Sequence, residues 1–358
     1  MHLVNEDKKD LKNKKAEYAN YENKKYFKKS FLIKIILFLI TIILILMIDI
    51  IILEYKYNNL LKSSKNTKLS QQNEYLKMCY KSRSLYYLKS RGKISTKNIS
   101  QLITIQEKIN YLLIHESPDY KSKIVDKIGL HEYSKKILGK DICVPIIKIY
   151  KSINDISLSE LPNKFVLKCN HGSGMNIICN DKSKFNMNNS KFWLNKWINT
   201  DYGFISSEFQ YINVKRKVFA EKFLKDDIED YKVYCFHGEP KFIRVQKRNE
   251  EGPGKINNYY DLNWNLTDIE TGLPHFYRKP EVIFNKPINF DLMLNYSRKL
   301  SEEFVFVRVD FYNINGKIYL GELTFTPSNL LFKLKNLEQS IFIGKFIDLT
   351  RIKDYLIN

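Results

Sequence analysis

Residues 304–327 read FVFVRVDFYNINGKIYLGELTFTP. Two runs rich in apolar and aromatic residues, Phe304–Phe311 and Lys317–Thr324, flank Asn315-Gly316. That dipeptide suits the two positive-φ positions of a tight β-hairpin. A hairpin centred there brings Asp310, in Arg308-Val309-Asp310, close to Glu322, in Gly321-Glu322-Leu323-Thr324. Carboxylates on adjacent strands repel unless a cation lies between them. Mg²⁺ shared with nucleotide phosphates meets that need. A salt-bridge cluster around Arg308 meets it too. Spacing alone leaves both open.

Working outward, apolar runs bounded by turn residues predict further strands at Lys164–Cys169, Met175–Cys179, Val218–Phe223, Tyr231–Phe236 and Lys241–Val245. Helices are predicted over 188–199, over Asp291–Phe304 and over 124–139 ending at Gly139. One more is predicted where Leu102, Ile105, Ile109, Leu112 and Leu113 share a face. Helices first, then mixed strands and helices, indicate an α+β or α/β enzyme domain.

Two further groups of residues have chemical promise. Phe165-Val166-Leu167-Lys168 delivers an ammonium directly before Cys169-Asn170-His171-Gly172-Ser173-Gly174. Glycines let backbone N–H groups approach phosphate oxygens, and lysine adds charge. The same glycines also serve a tight hairpin, and His171 could be catalytic but is more commonly a polar turn residue. The sequence is not a GxxxxGK[ST] P-loop. Glu221, at the end of Val218-Phe219-Ala220, could accept a hydrogen bond from a ribose hydroxyl or an adenine amine, as could any strand-edge glutamate.

The order of these groups matters more than any one of them. LPNKFVLKCNHGSG (161–174), EDYKVYCFHGEPKFIRV (229–245) and the 304–327 hairpin resemble the TupA-like family of ATP-grasp proteins, which accompany genes for cell-surface polysaccharide and teichuronopeptide synthesis. The resemblance runs from about Gln106 to Leu349. It implies an ATP-grasp fold with a helical N-terminal lobe over 99–160 and the ATP-grasp domain over 161–350. It implies ATP and Mg²⁺ as cofactors. Lys127 and Lys168 would hold the phosphates under a flap of Gly172, Ser173 and Gly174, and Glu221 would contact the adenosine. Asp310 and Glu322 would bind Mg²⁺, with Lys232 and Arg308 steadying an acyl-phosphate. Three positions depart from the pattern: Thr324 where asparagine usually follows the metal-binding glutamate, His131 where arginine is expected, and Ser328-Asn329 in place of a glycine-bearing turn. The implied reaction passes the γ-phosphoryl of ATP to a carboxylate of a sugar acid, amino acid or polysaccharide, and an amine or similar nucleophile then attacks. A glycosyltransferase using the carboxylates for a nucleotide-sugar's metal would want a clear DxD motif, which the chain lacks. A silent relative that keeps the fold is a third reading.

Before this domain, Phe31–Leu53 is an Ile/Leu/Phe run of 23 residues broken only by Lys34, Thr41 and Asp49. At 1.5 Å per residue it is long enough for a single transmembrane helix. A basic tail (1–30) without periodicity precedes it and a polar stalk (54–98) follows. Lys24, Lys25, Lys28 and Lys29 before the span balance Lys56, Lys62, Lys65 and Lys68 after it, so flanking charge does not set the orientation. An ATP-consuming domain and scattered cysteines suit the cytosolic face, and that orientation is expected. The net charge of +20 fits docking on anionic lipid or an acidic polymer. No groove-reading basic helix or RNA-binding aromatic motif accompanies it, so nucleic acid is not an expected partner. The five cysteines show no CxxC pair or Cys/His metal spacing.

Overall fold

The structure, a computed structural model, describes residues 99–354 apart from positions 117, 207, 251–253, 273–275 and 331–333. The predicted tail, span and stalk lie outside the described residues. Among the described residues no helix is long and apolar enough to cross a membrane.

Thr104 caps α1 (Ile105–His115): its hydroxyl accepts from Glu107 N, and the Glu107 carboxylate accepts in return from Thr104 N. The single helix predicted over 124–139 is two, α2 (Pro118–Val125) and α3 (Gly129–Leu138). The break has a local cause. Asp126 Oδ1 accepts from Ile128 N at 2.9 Å and from Asn170 Nδ2 at 2.8 Å, so the side chain offers the backbone an alternative to continuing the helix. Gly139 then ends α3 at φ 71°, in the left-handed region where glycine is favoured.

Four strands form a small antiparallel sheet: β1 (Ile146–Tyr150), β2 (Phe165–Cys169), β3 (Asn176–Cys179) and β4 (Val218–Lys222), in the order β1-β4-β2-β3. Helix α4 (Met187–Ile198) closes one face, burying Leu194 against Phe165, Leu167 and Cys169. A short helix, α5 (Tyr202–Ser206), follows it. Cys169 and Cys179 sit at opposite ends of the β2–β3 hairpin, since Cys179 pairs with Phe165. The four described cysteines are buried and unbridged.

Six strands make the large sheet: β5 (Asp230–Phe236), β6 (Glu239–Arg248), β7 (Lys255–Tyr260), β8 (Phe276–Tyr277), β9 (Phe306–Ile314) and β10 (Lys317–Thr324). Their order is β10-β9-β5-β6-β7-β8, antiparallel except for β7–β8. The β9–β10 turn is as predicted, with Asn315 at φ 50° and Gly316 at φ 83°. Alternation along the strands gives this sheet two unlike faces. Val233, Ile243, Val245 and Val309 point into the main core with α3 and α6 (Phe290–Ser301). On the other face Tyr234, Phe236, Phe242, Tyr259 and Phe306 form an aromatic core with α1, which packs against α7 (Leu337–Gly344). Beside those aromatics the same face carries buried Lys232, Arg244, Arg308 and Asp310. The fold is mixed α+β, with nearly all strands antiparallel.

Leu320 N donates to Ile142 O at 2.8 Å, and Cys143 bridges to Leu320. This contact ties the outer edge of the large sheet to the segment that enters the small one, and the candidate site lies at that junction.

Candidate active site

Asn170 holds the site together. Fully buried at the end of β2, it donates to Asp126 Oδ1 and to Lys215 O. Its carboxamide oxygen accepts from Lys217 N at 2.7 Å, and its carbonyl accepts from Lys127 N. The α2–α3 turn and the glycine loop are thereby fixed to each other, although 44 residues separate Asp126 from Asn170. Lys127 Nζ donates to Gly172 O and stands 5.9 Å from the Tyr211 ring centre.

A small, partly open cleft lies at this point. Lys127, Leu130 and His131 line it from the helical side, and Lys168 and Glu221 from the small sheet. Cys143, Val144, Leu320 and Gly321 form the remaining wall. Lys168 and Glu221 form an ion pair, both largely buried. Burial lowers the Lys127 ammonium below the ordinary lysine range, opposed by Glu322 and assisted by Lys168. Two lysines and a glutamate converging on one cleft make a place for an anionic ligand that also offers a hydrogen-bonding group.

The carboxylates come next. Asp310 and Glu322 are paired in register, and Arg308 lies between them. Arg308 grips Asp310 through Nε to Oδ1 and a terminal nitrogen to Oδ2, both at 2.6 Å, and reaches Glu322 Oε1 at 3.2 Å. Lys232 donates to Asp310 Oδ2 at 2.8 Å. Thr324, at the departure from the expected asparagine, accepts from Arg308 at 3.0 Å and donates to Glu322 Oε1. Burial works against the Asp310 charge, but Arg308 and then Lys232 outweigh it, so the carboxyl stays well below the usual carboxylate range. Of the two arrangements left open by the sequence, the arginine-bridged one is present. The donors also suit Mg²⁺: two hard carboxylates face each other, and the Glu322 side chain is 30% exposed.

Lys232 and Arg308 therefore belong to the carboxylate cluster and are absent from the cleft wall, whereas Lys127, Lys168 and Glu221 share that wall. Glycines 172 and 174 are required for different reasons. A Cβ at Gly172 would stand 2.7 Å from the Tyr202 ring, and Gly174 has φ +73°. His171 is buried, its Nε2 meets Trp197 O at 3.2 Å, and burial followed by Arg216 lowers its pKa. It is a neutral turn residue of the hairpin.

Two groups escaped the sequence reading. Glu208 is 4% exposed and accepts from Thr326 Oγ1 at 2.6 Å and from Tyr202 Oη at 2.7 Å. It links the ring beneath Gly172 to the residue just beyond β10. Burial raises its pKa and Glu322 adds repulsion. In the sequence it stands in an irregular stretch with nothing to mark it. The other is the grouping of His131, noted in the sequence only as a departure from the family pattern, with Asp141, whose Oδ2 lies 2.7 Å from His131 Nδ1, and with Cys143. The turn at Gly139 folds these residues together, so no short spacing announces them.

A model of TupA-like ATPgrasp proteins matches residues 107–347. The chain belongs to that family. No curated protein sequence matches the chain. The solved structures similar to this TupA-like ATP-grasp protein include D-alanine–D-alanine ligase from Bacillus anthracis, 17% identical over 72% of this chain and 72% of that one, TM-score 0.38. N5-carboxyaminoimidazole synthetase from Staphylococcus aureus, complexed with ADP, is 16% identical over 58% of this chain and 46% of that one, TM-score 0.32. L-amino acid ligase from Bacillus licheniformis is 12% identical over 57% and 43%, TM-score 0.35. These likenesses are loose, and the chain spans less than half the length of the last two.

Proposed function

We propose that this TupA-like ATP-grasp protein is an ATP- and Mg²⁺-dependent ligase that activates a carboxylate as an acyl-phosphate, serving cell-surface polysaccharide or glycoconjugate synthesis from the cytosolic face of a membrane. The observation that carries the reading is the convergence of Lys127, Lys168 and Glu221 on one cleft whose far wall, Leu320-Gly321, runs directly into Glu322. A nucleotide placed there would meet two ammonium groups beside the strand that carries Glu322.

Lys127 and Lys168 hold the phosphates, and Glu221 accepts a hydrogen bond from the nucleoside. Glu322, backed by Asp310, would hold Mg²⁺, which would supply neutralising charge for the phosphates. Phosphoryl transfer needs little covalent help from side chains, so the work of the protein is alignment and charge. Arg308 is fixed by Asp310 with one edge reaching Glu322, and so presents an oriented cation where negative charge develops. Lys232, fixed to the same carboxylate, keeps Asp310 ionised. The apolar run at 31–53 supports the membrane anchor, and the +20 charge supports residence on an anionic surface.

The test is ADP release by the full-length chain with Mg²⁺ and ATP across a panel of sugar acids and amino acids, with hydroxylamine to trap an acyl-phosphate. Carboxylate-dependent ADP release with hydroxamate formation supports the proposal. ADP release that no carboxylate stimulates, with sugar transfer from a nucleotide-sugar instead, contradicts it.

A further inference from the structure

Beyond Asp310 and Glu322, the large sheet carries a buried cation to which neither the cleft nor the Arg308 cluster gives a task. In register across five strands lie Glu322, Asp310, Lys232, Arg244 and Tyr259. The first three are linked directly or through Arg308. Arg244, 4% exposed, is the next in line. Among the described residues no carboxylate lies within salt-bridge reach of it, and its Nε meets no hydrogen-bond partner. Its side is covered by the Phe276 ring, 5.9 Å from the guanidinium carbon.

Asn257 is a diagonal neighbour on the same face, one strand over and opposite Gln246. It is 1% exposed, and among the described residues neither Nδ2 nor Oδ1 of its carboxamide finds a partner. Buried polar groups in folded proteins are nearly always paired, and a buried charge without a counter-ion costs several kcal/mol. Tyr234, Tyr259 and Asp310 favour the Arg244 charge, but its Nε and the whole Asn257 carboxamide stay unpaired among the described residues. A ligand that satisfies both accounts for the two orphans together. A guanidinium and an amide select an oxyanion.

At about 4.8 Å per strand, Arg244 is three strands, roughly 14 Å, from Glu322 in backbone terms. The oxyanion at Arg244 is therefore separate from the carboxylate presented to ATP. We infer that the substrate is at least doubly acidic, and that Arg244, with Asn257, anchors its second oxyanion, a carboxylate or a phosphate ester, away from the reacting end. The inference rests on the ligase reading for the position of the reacting end. The anion site at Arg244 stands on the orphaned groups themselves.

Thermal melts of the full-length chain in non-ionic detergent test it, with acetate or inorganic phosphate replacing chloride at constant ionic strength. The parent is expected to gain about 2–4 °C at a saturating level of the preferred anion. A larger gain with acetate assigns a carboxylate, and a larger gain with phosphate assigns a phosphate ester. Arg244→Met keeps the side-chain bulk and removes the charge. It is expected to melt at or above the parent in chloride and to gain less than 1 °C, roughly, from either anion. A parent that responds to neither anion overturns the inference. So does an Arg244→Met variant that responds like the parent, or that melts well below it in chloride, because Arg244 is then a structural cation held by its tyrosine and phenylalanine neighbours. Titrating the parent with AMP-PNP and Mg²⁺ reports separately on the nucleotide cleft: failure there removes the ligase reading and leaves the melts to decide the anion site.

Discussion

Asp310 and Glu322 look alike in the sequence and are unlike in place. Asp310 is 3% exposed and holds two cations, so Asp310→Asn leaves Arg308 and Lys232 buried without their counter-charge. A loss of about 3–5 kcal/mol is expected, visible as a lower denaturation midpoint. Glu322→Gln, on a part-exposed side chain, is expected to cost less than about 1 kcal/mol in the same measurement while abolishing Mg²⁺-dependent turnover. Equal destabilisation by both variants would contradict an inner, structural Asp310 and an outer, metal-facing Glu322. Glu208 offers a test in pH. Its pKa in the fold is raised above its unfolded value, so its favourable contribution is present at low pH and lost as pH rises through the raised value. Glu208→Gln cannot ionise. Its melting temperature relative to the parent is expected to climb as pH rises above the ordinary carboxylate range, and a difference that stays constant with pH would contradict a raised Glu208 pKa.

At the scale of elements, the β9–β10 hairpin and the β2 lysine were legible because a turn dipeptide and alternating side chains are local signals. The break between α2 and α3 was not, because Asp126 is diverted by Asn170, a partner 44 residues away. Strand β7 was hidden for a related reason. Its sequence KINNYY puts polar Asn257 and Asn258 inside, one toward each face, where alternation should show apolar residues. Asn258 is explained by its bonds to the Lys279 and Val282 carbonyls, and Asn257, unpaired among the described residues, by the anion site proposed at Arg244. Lys127, Lys168 and Glu221 could be named from the family resemblance, but their meeting in one cleft depends on the Leu320–Ile142 contact between sheets. The glycine loop supplies the prediction at this scale. Gly174→Ala places a side chain at φ +73° and is expected to cost about 1 kcal/mol. Gly172→Ala drives a methyl into the Tyr202 ring and displaces the carbonyl that holds Lys127. Nucleotide affinity is therefore expected to fall at least about tenfold in Gly172→Ala and less in Gly174→Ala, by calorimetric titration. The reverse order would show that Gly172 O does not position Lys127.

The whole molecule joins a basic, antiparallel α+β enzyme domain to an apolar run long enough for one span. If the domain lies on the cytosolic face as proposed, protease added to sealed right-side-out cells is expected to leave residues 54–358 intact, and protease added to inverted vesicles to digest them. Protection in inverted vesicles until detergent is added would reverse the orientation and favour a lumenal or external chemistry. The central claim, that Lys127, Lys168 and Glu221 form a nucleotide cleft directed at Glu322, is tested most directly by one measurement: calorimetric titration of a non-hydrolysable ATP analogue with Mg²⁺ into the full-length chain and its Lys168→Ala and Lys232→Ala variants. Saturable binding to the parent is predicted, with a loss of at least about tenfold in Lys168→Ala and a smaller loss in Lys232→Ala, whose ammonium serves Asp310 instead of the cleft. Equal affinity of Lys168→Ala and the parent, or no binding to any of the three, would contradict that claim.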